Sequence, residues 1–318
     1  MKELLENISR IGIIPVIKID DINDALPLAK ALYDGGLPIA EITFRTDNAK
    51  EALRIIHQAL PKMLLGAGTV LTTQQVDDAI EVGAQFIVSP GLNPDVVSYC
   101  LKKDINIIPG CSSASDIEKA LSFGLTTVKF FPAEQLGGLK TIKALAAPYV
   151  NVNFMPTGGI NLNNINEYLA YDRIVACGGT WMIDKKLLET KDFAGIQQLT
   201  KSAVQSMLGL TLKHVAVNAD SNTSETIADK FALIFGGVAR KTSKGYFGSE
   251  FVEVMNDGIG KNGHIAVGCN DVARARRYFE SVGFEFDDSS IMMKNNKLTF
   301  IYFKEEIGGF RVHLISNS

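Results

Sequence analysis

A lysine set among aliphatic and aromatic neighbours is the group in this sequence best suited to covalent chemistry. Lys129 stands in TTVKFFPAE, flanked by Val128, Phe130 and Phe131. Loss of hydration disfavours an ammonium and favours the neutral amine, the form that attacks a ketone to make a Schiff base. Position alone leaves a second reading open, a lysine whose stem follows an apolar wall while its charge reaches solvent or a carboxylate.

A carboxylate and a guanidinium accompany it in AEITFRT, where period-two alternation puts Glu41, Thr43 and Arg45 on one face of a strand. Glu41 could then shuttle a proton while Arg45 clamps a substrate carboxylate. The alternative is a structural salt bridge between the two. Lys18, closing IGIIPVIK, is either a second cation at the same mouth or a solvated strand-end residue. Two double glycines complete the set: Thr157, Gly158 and Gly159 in PTGGI, and Gly178, Gly179 and Thr180 in GGTW. Glycine lets backbone N–H groups approach an anion closely, and loops of this kind hold phosphate at the seventh and eighth strands of a barrel.

The elements that must position these groups alternate regularly. Short β-branched runs occur at 13–19, 39–44, 64–70, 86–91, 106–111, 127–132, 153–159 and 174–181. Between them lie amphipathic stretches such as DNAKEALRIIHQAL and SASDIEKALSFG, with capping residues at the start and Gly near the end. Eight strand–helix units with right-handed crossovers predict a closed (β/α)8, or TIM, barrel over residues 1–209. A doubly wound open sheet fits less well, because no GxGxxG follows the first strand.

FRT, GAGTV, SPG, VKFFPAE, PTGGI and GGTW, in that order and spacing, resemble the class I aldolases acting on 2-keto-3-deoxy-6-phosphogluconate and 4-hydroxy-2-oxoglutarate, over about residues 4–208. The resemblance implies a lyase of carbohydrate metabolism in which Lys129 forms the imine with the substrate ketone and Glu41 is the general acid/base. Arg45, Thr69 and the Ser89-Pro90-Gly91 turn would line the pyruvate moiety, Phe131 would pack beside it, and Thr157 would contact the substrate chain. Gly158, Gly159, Gly179 and Thr180 would hold phosphate. The products would be pyruvate with glyceraldehyde 3-phosphate or glyoxylate, no cofactor would be needed, and the protein would be a homo-oligomer, a trimer in such relatives. Thr180 stands where serine is common, and GCSSAS after the fifth strand departs from the usual wording. A phosphosugar-acid binding regulator that keeps the site geometry is the alternative, although phosphate binding alone does not require a desolvated amine.

From residue 210 to 318 the pattern changes to a smaller α+β domain. LKHVAVN, a helix, GVARKTSKGY and FVEVMN are followed by GHIAVGC, a helix, FEFDDSSI, LTFIYF and FRVHLI, a tandem repeat read as two βαββ modules. His214 and His264 occupy corresponding first strands, and Glu253 and His313 corresponding last strands. The paired modules resemble the glyoxalase and extradiol dioxygenase superfamily, which implies a cup around a divalent metal. Three imidazoles and a carboxylate suit Zn, Ni, Fe or Mn, and His313 replaces the carboxylate usual in that family. Four half-buried polar residues satisfied locally are the competing reading. The domain would be a metal-dependent lyase, dioxygenase or isomerase, a small-molecule sensor, or a module that stabilises an oligomer.

Composition bounds the partners. Lys plus Arg number 32 against 35 acids in 318 residues, giving −3, so no basic field is available for nucleic acid or anionic lipid. Lys185-Lys186 and Arg274 with Arg276-Arg277 are expected on solvated helix faces. Four cysteines without CxxC spacing, an N-terminus lacking an apolar signal core and no 18-residue apolar run point to a reducing cytoplasm, away from membranes.

Overall fold

In the computed structural model, which describes residues 2–317, IIPVI forms β1 (Ile13–Ile17) with all five residues buried. A strand without polar alternation is what a parallel sheet covered by helices requires. The chain divides into two compact units, 1–207 and 208–318.

The first unit opens with α1 (Lys2–Ile11), which the sequence reading did not anticipate and which buries Ile8 and Ile11. After β1 come α2 (Ala25–Asp34), β2 (Ile39–Thr43), α3 (Ala49–Ala59), β3 (Leu64–Gly68), α4 (Thr73–Glu81), β4 (Phe86–Val88) and α5 (Pro94–Lys102). The order continues with β5 (Ile107–Ile108), α6 (Ala114–Ser122), β6 (Thr127–Phe130), α7 (Gly138–Ala146), β7 (Asn153–Pro156), α8 (Ile165–Leu169), β8 (Cys177–Gly179), α9 (Lys185–Glu189) and α10 (Phe193–Leu208). Reciprocal capping boxes start two of the helices, Thr72 with Gln75 on α4 and Ser113 with Asp116 on α6.

Six strands pair in the order β5-β4-β3-β2-β1-β8 and two more as β6-β7, every pairing parallel. Isolated parallel bridges join Gly110 to Lys129 and Thr157 to Gly178. The result is a barrel-like α/β unit. Each strand stops short of the run expected from sequence, because the residues at its C-terminal end, apolar ones such as Phe44 and Phe131 included, leave the ladder. Arg45 is the clearest case: it follows β2 in an exposed turn, its N–H donating to the Thr43 carbonyl at 2.8 Å.

The second unit contains β9 (Thr211–Asn218), α11 (Ser224–Phe235), β10 (Arg240–Lys241), β11 (Gly245–Phe247), β12 (Val252–Met255), β13 (Gly263–Cys269), α12 (Val272–Ser281), β14 (Phe286–Lys294), β15 (Lys297–Ile307) and β16 (Phe310–Ser316). Each half runs β-α-β-β-β, one strand more than the expected βαββ. In the first half GVARKTSKGY folds back on itself as β10 and β11; in the second, three long strands follow the helix. One eight-stranded sheet results, ordered β10-β11-β12-β9-β13-β16-β15-β14, its halves joined by antiparallel β9 and β13. The register is reciprocal, with His214 opposite Ala266 and His264 opposite Ala216.

Arg274 corrects an expectation. It is buried on α12 beside its capping Asp271, 3.9 Å away, rather than solvated. Lys185 does sit on an exposed ion pair, with Glu189, whereas Arg276 is half-buried and pairs with Glu280.

Candidate active site

Lys129 is held on both sides of its backbone. Its N–H donates to the Pro109 carbonyl at 2.9 Å and its carbonyl accepts from the Cys111 N–H at 2.8 Å, so β6 is fixed against the end of β5. The residue is 5% exposed, and its Nζ donates to Glu41 Oε1 at 3.2 Å. Its charge therefore does not reach solvent; it meets a buried carboxylate, as the second reading of the sequence also allowed. Glu41 is 1% exposed, and its second oxygen, Oε2, is buried without a partner. Such an oxygen costs about 1–3 kcal/mol in a folded protein, and a ligand donor would relieve that cost.

The pair excludes the Glu41–Arg45 salt bridge that the spacing allowed, since Glu41 turns toward Lys129 and Arg45 lies at the surface. Thr43 points inward on β2 with its hydroxyl donating to the Ile17 carbonyl at 2.9 Å. Lys18 pairs with Asp20 at 2.6 Å, both exposed, and is a solvated strand-end residue.

The remaining residues line up along the ends of neighbouring strands. Thr69, directly after β3, has φ +57, a left-handed backbone that a β-branched residue rarely adopts. Ser89 donates its hydroxyl to the Gly91 carbonyl at 2.7 Å and tightens the turn through Pro90. Gly110 permits that turn to cross: a Cβ there would lie 2.0 Å from the Pro90 oxygen. Phe131 is 40% exposed, and the Lys129 ammonium lies 5.4 Å from its ring centroid.

Thr157 is buried with its hydroxyl oxygen unpartnered. Ala133 and Glu134 donate their N–H groups to the carbonyls of Thr157 and Gly158, at 2.8 and 3.1 Å, which ties the loop after β7 to the loop after β6. Gly158 and Gly159 have φ +98 and +82. Gly178 and Gly179 admit Thr157 and the Trp181 ring, which would stand 2.4 and 1.9 Å from added Cβ atoms. Thr180 is exposed beside them.

Sequence reasoning missed Gly68, Gly110, Glu134 and Trp181. Glu134 accepts a hydrogen bond from the Tyr168 hydroxyl and packs where a Gly159 side chain would go. For Gly68 the available signal was glycine inside a strand, which marks close approach by another group.

Residues 5–199 match the family model for KDPG and KHG aldolase. The chain belongs to the KDPG and KHG aldolase family. It is 49% identical over 205 residues to the 2-dehydro-3-deoxy-phosphogluconate aldolase of Treponema pallidum, covering 64% of this chain and 98% of that one. A protein of the same name from Haemophilus influenzae is 46% identical over 203 residues, 64% and 96% of the two chains. The crystal structure of KDPG aldolase from Legionella pneumophila, with pyruvate captured as a covalent carbinolamine, superimposes with TM-score 0.61 at 36% identity over 64% of this chain and 99% of that one. The chain is accordingly a lyase acting on a small keto acid.

The second unit gathers another cluster. His214, Glu253, His264 and His313 lie on the adjacent strands β9, β12, β13 and β16, and the register puts them on one face. One nitrogen from each imidazole lies within 4.8 Å of the others. Nε2 of His214 and of His264 are 2.9 Å apart, and Glu253 Oε2 is 3.5 Å from each. Burial pushes His313 down to about 3 and His264 down to about 4, and holds His214 below the usual histidine range. Burial also raises Glu253, opposed by the charge of Lys244. Neutral imidazoles are the ligating form, and two Nε2 atoms facing each other at 2.9 Å can share a cation where they cannot both carry protons. The donor set thus fits a divalent ion. Nδ1 of His264 and of His313 are buried without partners, so packing orients these rings, with Phe300 4.5 Å from His313.

Proposed function

We propose that the first unit is a Schiff-base aldolase cleaving 2-keto-3-deoxy-6-phosphogluconate to pyruvate and glyceraldehyde 3-phosphate, with 4-hydroxy-2-oxoglutarate as a second substrate giving pyruvate and glyoxylate. The observation that carries this reading is the buried Lys129–Glu41 pair at 3.2 Å. Glu41 is placed to take the ammonium proton, which frees the amine to attack the substrate C2 carbonyl. Glu41 returns that proton to the carbinolamine hydroxyl, which leaves as water, so that the protonated imine, an electron sink, forms beside a carboxylate again able to act as a base. Glu41, directly or through a water, removes the C4 hydroxyl proton; the C3–C4 bond breaks, the aldehyde leaves, and the electron pair remains as an enamine. Protonation at C3 and hydrolysis release pyruvate and restore Lys129. No metal takes part in these steps.

Arg45, Thr69, Pro90 and Gly91 are assigned to the pyruvate end, Phe131 to its flank and Thr157 to the substrate chain. Gly158, Gly159, Gly179 and Thr180 are assigned to phosphate. The bridges at Gly110–Lys129 and Thr157–Gly178 support a complete eight-stranded barrel, and the division of the chain near residue 209 supports separate aldolase and C-terminal domains. A homotrimer is proposed from the family resemblance and a cytoplasmic location from the cysteine usage, and sedimentation of the purified chain checks its stoichiometry.

For the second unit the proposal is a glyoxalase-like domain with a divalent ion held by His214, Glu253, His264 and His313. Such an ion would polarise a bound oxygen. The experiment that tests the aldolase reading is a panel of 2-keto acids assayed for pyruvate release, repeated with Lys129→Ala: release from the two named substrates that disappears in the variant supports it, and release that persists refutes it.

A further inference from the structure

Three successive carbonyls in the loop after β7 are taken by protein donors. Those of Thr157 and Gly158 accept from the N–H groups of Ala133 and Glu134, at 2.8 and 3.1 Å, and that of Gly159 accepts from the side-chain amides of Asn161 and Asn164, both at 3.1 Å. A planar trans peptide points its N–H opposite to its carbonyl. Anchoring the carbonyls therefore fixes the direction of the N–H groups that follow, those of Gly159 and Ile160 among them, and successive backbone N–H groups are what gathers an anion.

Glu134 holds this loop with its side chain as well as its backbone. Its Cβ and Cγ fill the space over Gly159, where an added Cβ would stand 2.5 Å from each, and its carboxylate accepts from the Tyr168 hydroxyl. Tyr168, on α8, is 2% exposed, and its oxygen accepts from the Leu139 N–H in the first turn of α7. Gly138, which opens α7 with φ +60, leaves room for the pair: an added Cβ would lie 2.9 Å from Glu134 Oε1 and 2.9 Å from the Tyr168 oxygen. Burial, and then the hydrogen bond to Glu134, hold the Tyr168 hydroxyl above the usual tyrosine range, so it stays a donor at neutral pH. Glu134 is otherwise exposed. A glutamate in that setting keeps several rotamers open, and the bond from Tyr168 selects the one that covers Gly159.

We infer that Glu134 and Tyr168 are positioning residues for the phosphorylated substrate: the pair holds the Gly158–Gly159 turn in the form that receives phosphate. It thereby favours the phosphorylated sugar acid over 4-hydroxy-2-oxoglutarate, acting through the loop and not on the reacting bonds. Lys129 and Glu41 are held by bonds of their own, to the end of β5 and to each other, so loss of the pair spares imine formation. The inference rests on the proposed aldolase reading.

The test measures kcat and KM of the full-length chain for both substrates in Tyr168→Phe, Glu134→Ala and Glu134→Gln. The first two should raise KM for 2-keto-3-deoxy-6-phosphogluconate at least about fivefold with kcat within about twofold, the pattern of lost binding. Both constants for 4-hydroxy-2-oxoglutarate, and borohydride labelling of Lys129 by pyruvate, should stay at wild-type values. Glu134→Gln, which keeps the methylenes and an acceptor oxygen, should restore a KM near that of the wild type. An unchanged KM for the phosphorylated substrate in Tyr168→Phe and Glu134→Ala, parallel losses on both substrates, or a Glu134→Gln chain as impaired as Glu134→Ala would overturn the inference and leave the aldolase reading standing. Wild-type protein that releases no pyruvate from the phosphorylated substrate overturns both.

Discussion

Gly68 leaves the space that the Glu41 carboxylate occupies: a Cβ on Gly68 would stand 2.1 Å from Glu41 Oε1 and 2.5 Å from its Cγ. The position of the proposed acid/base is therefore set by the absence of a side chain on the neighbouring strand, where Gly66 is the residue paired with Glu41. Gly68→Ala must push the carboxylate away from Lys129. A displacement of about 1 Å at a reacting group costs on the order of 100-fold in rate. Pyruvate release by this variant should fall by at least about that factor while its circular dichroism stays that of the wild type; near-normal turnover would show that Glu41 needs no such fixed place.

Trp181 is the only tryptophan in the chain, and its ring fills the space above Gly179 in the loop assigned to phosphate. Its fluorescence should change saturably when glyceraldehyde 3-phosphate is added. Gly179→Ala, which collides with the ring, should weaken that titration more than tenfold. An unresponsive wild type would remove phosphate from this loop.

All four cysteines are buried, and burial raises three of the thiols. It pushes Cys100 up to about 11 and Cys111 and Cys269 up to about 12, against an ordinary value of 9.0. Cys177 is buried as well. A disulfide reagent at pH 8 should find no rapidly reacting thiol in the native chain and four after denaturation. The sign of the linkage follows: above pH 9 the unfolded thiols lose protons that the native ones keep, so stability falls as pH rises from about 9 towards 12. Urea midpoints at pH 8 and pH 10, compared with those of a Cys111→Ala/Cys269→Ala variant, should show a smaller loss in the variant.

Removal of metal separates the two units. The proposed cleavage uses an imine as its electron sink, so dialysis against a chelator should leave pyruvate release within about twofold of the untreated rate, while any ion bound by His214, His264 and His313 is lost. A chelator-sensitive cleavage step would contradict the Schiff-base mechanism.

Much of this was legible in the residues because both layers follow from local rules. Period-two spacing and aliphatic runs located all eight strands of the first unit, whereas VKFF alone left open whether the lysine was desolvated or carried its charge to solvent or a carboxylate. Arg45 misled because alternation assumes that a strand continues, whereas β2 ends at Thr43 and the chain turns. Glu41's true partner lies 88 residues away on β6, a distance no local pattern encodes. Gly68 and Gly110 were silent for the same reason, since a glycine reports close approach without naming the group that approaches. In the second unit the repeat was visible, but the short Arg240–Lys241 strand was not, because a two-residue strand carries no period.

Trapping with borohydride is the most direct test of the central claim. Reduction of the full-length chain in the presence of pyruvate should add one reduced pyruvate per chain, map it by peptide mass spectrometry to Lys129, and abolish pyruvate release in step with labelling. A label on another lysine, or cleavage at a near wild-type rate in Lys129→Ala, would contradict it.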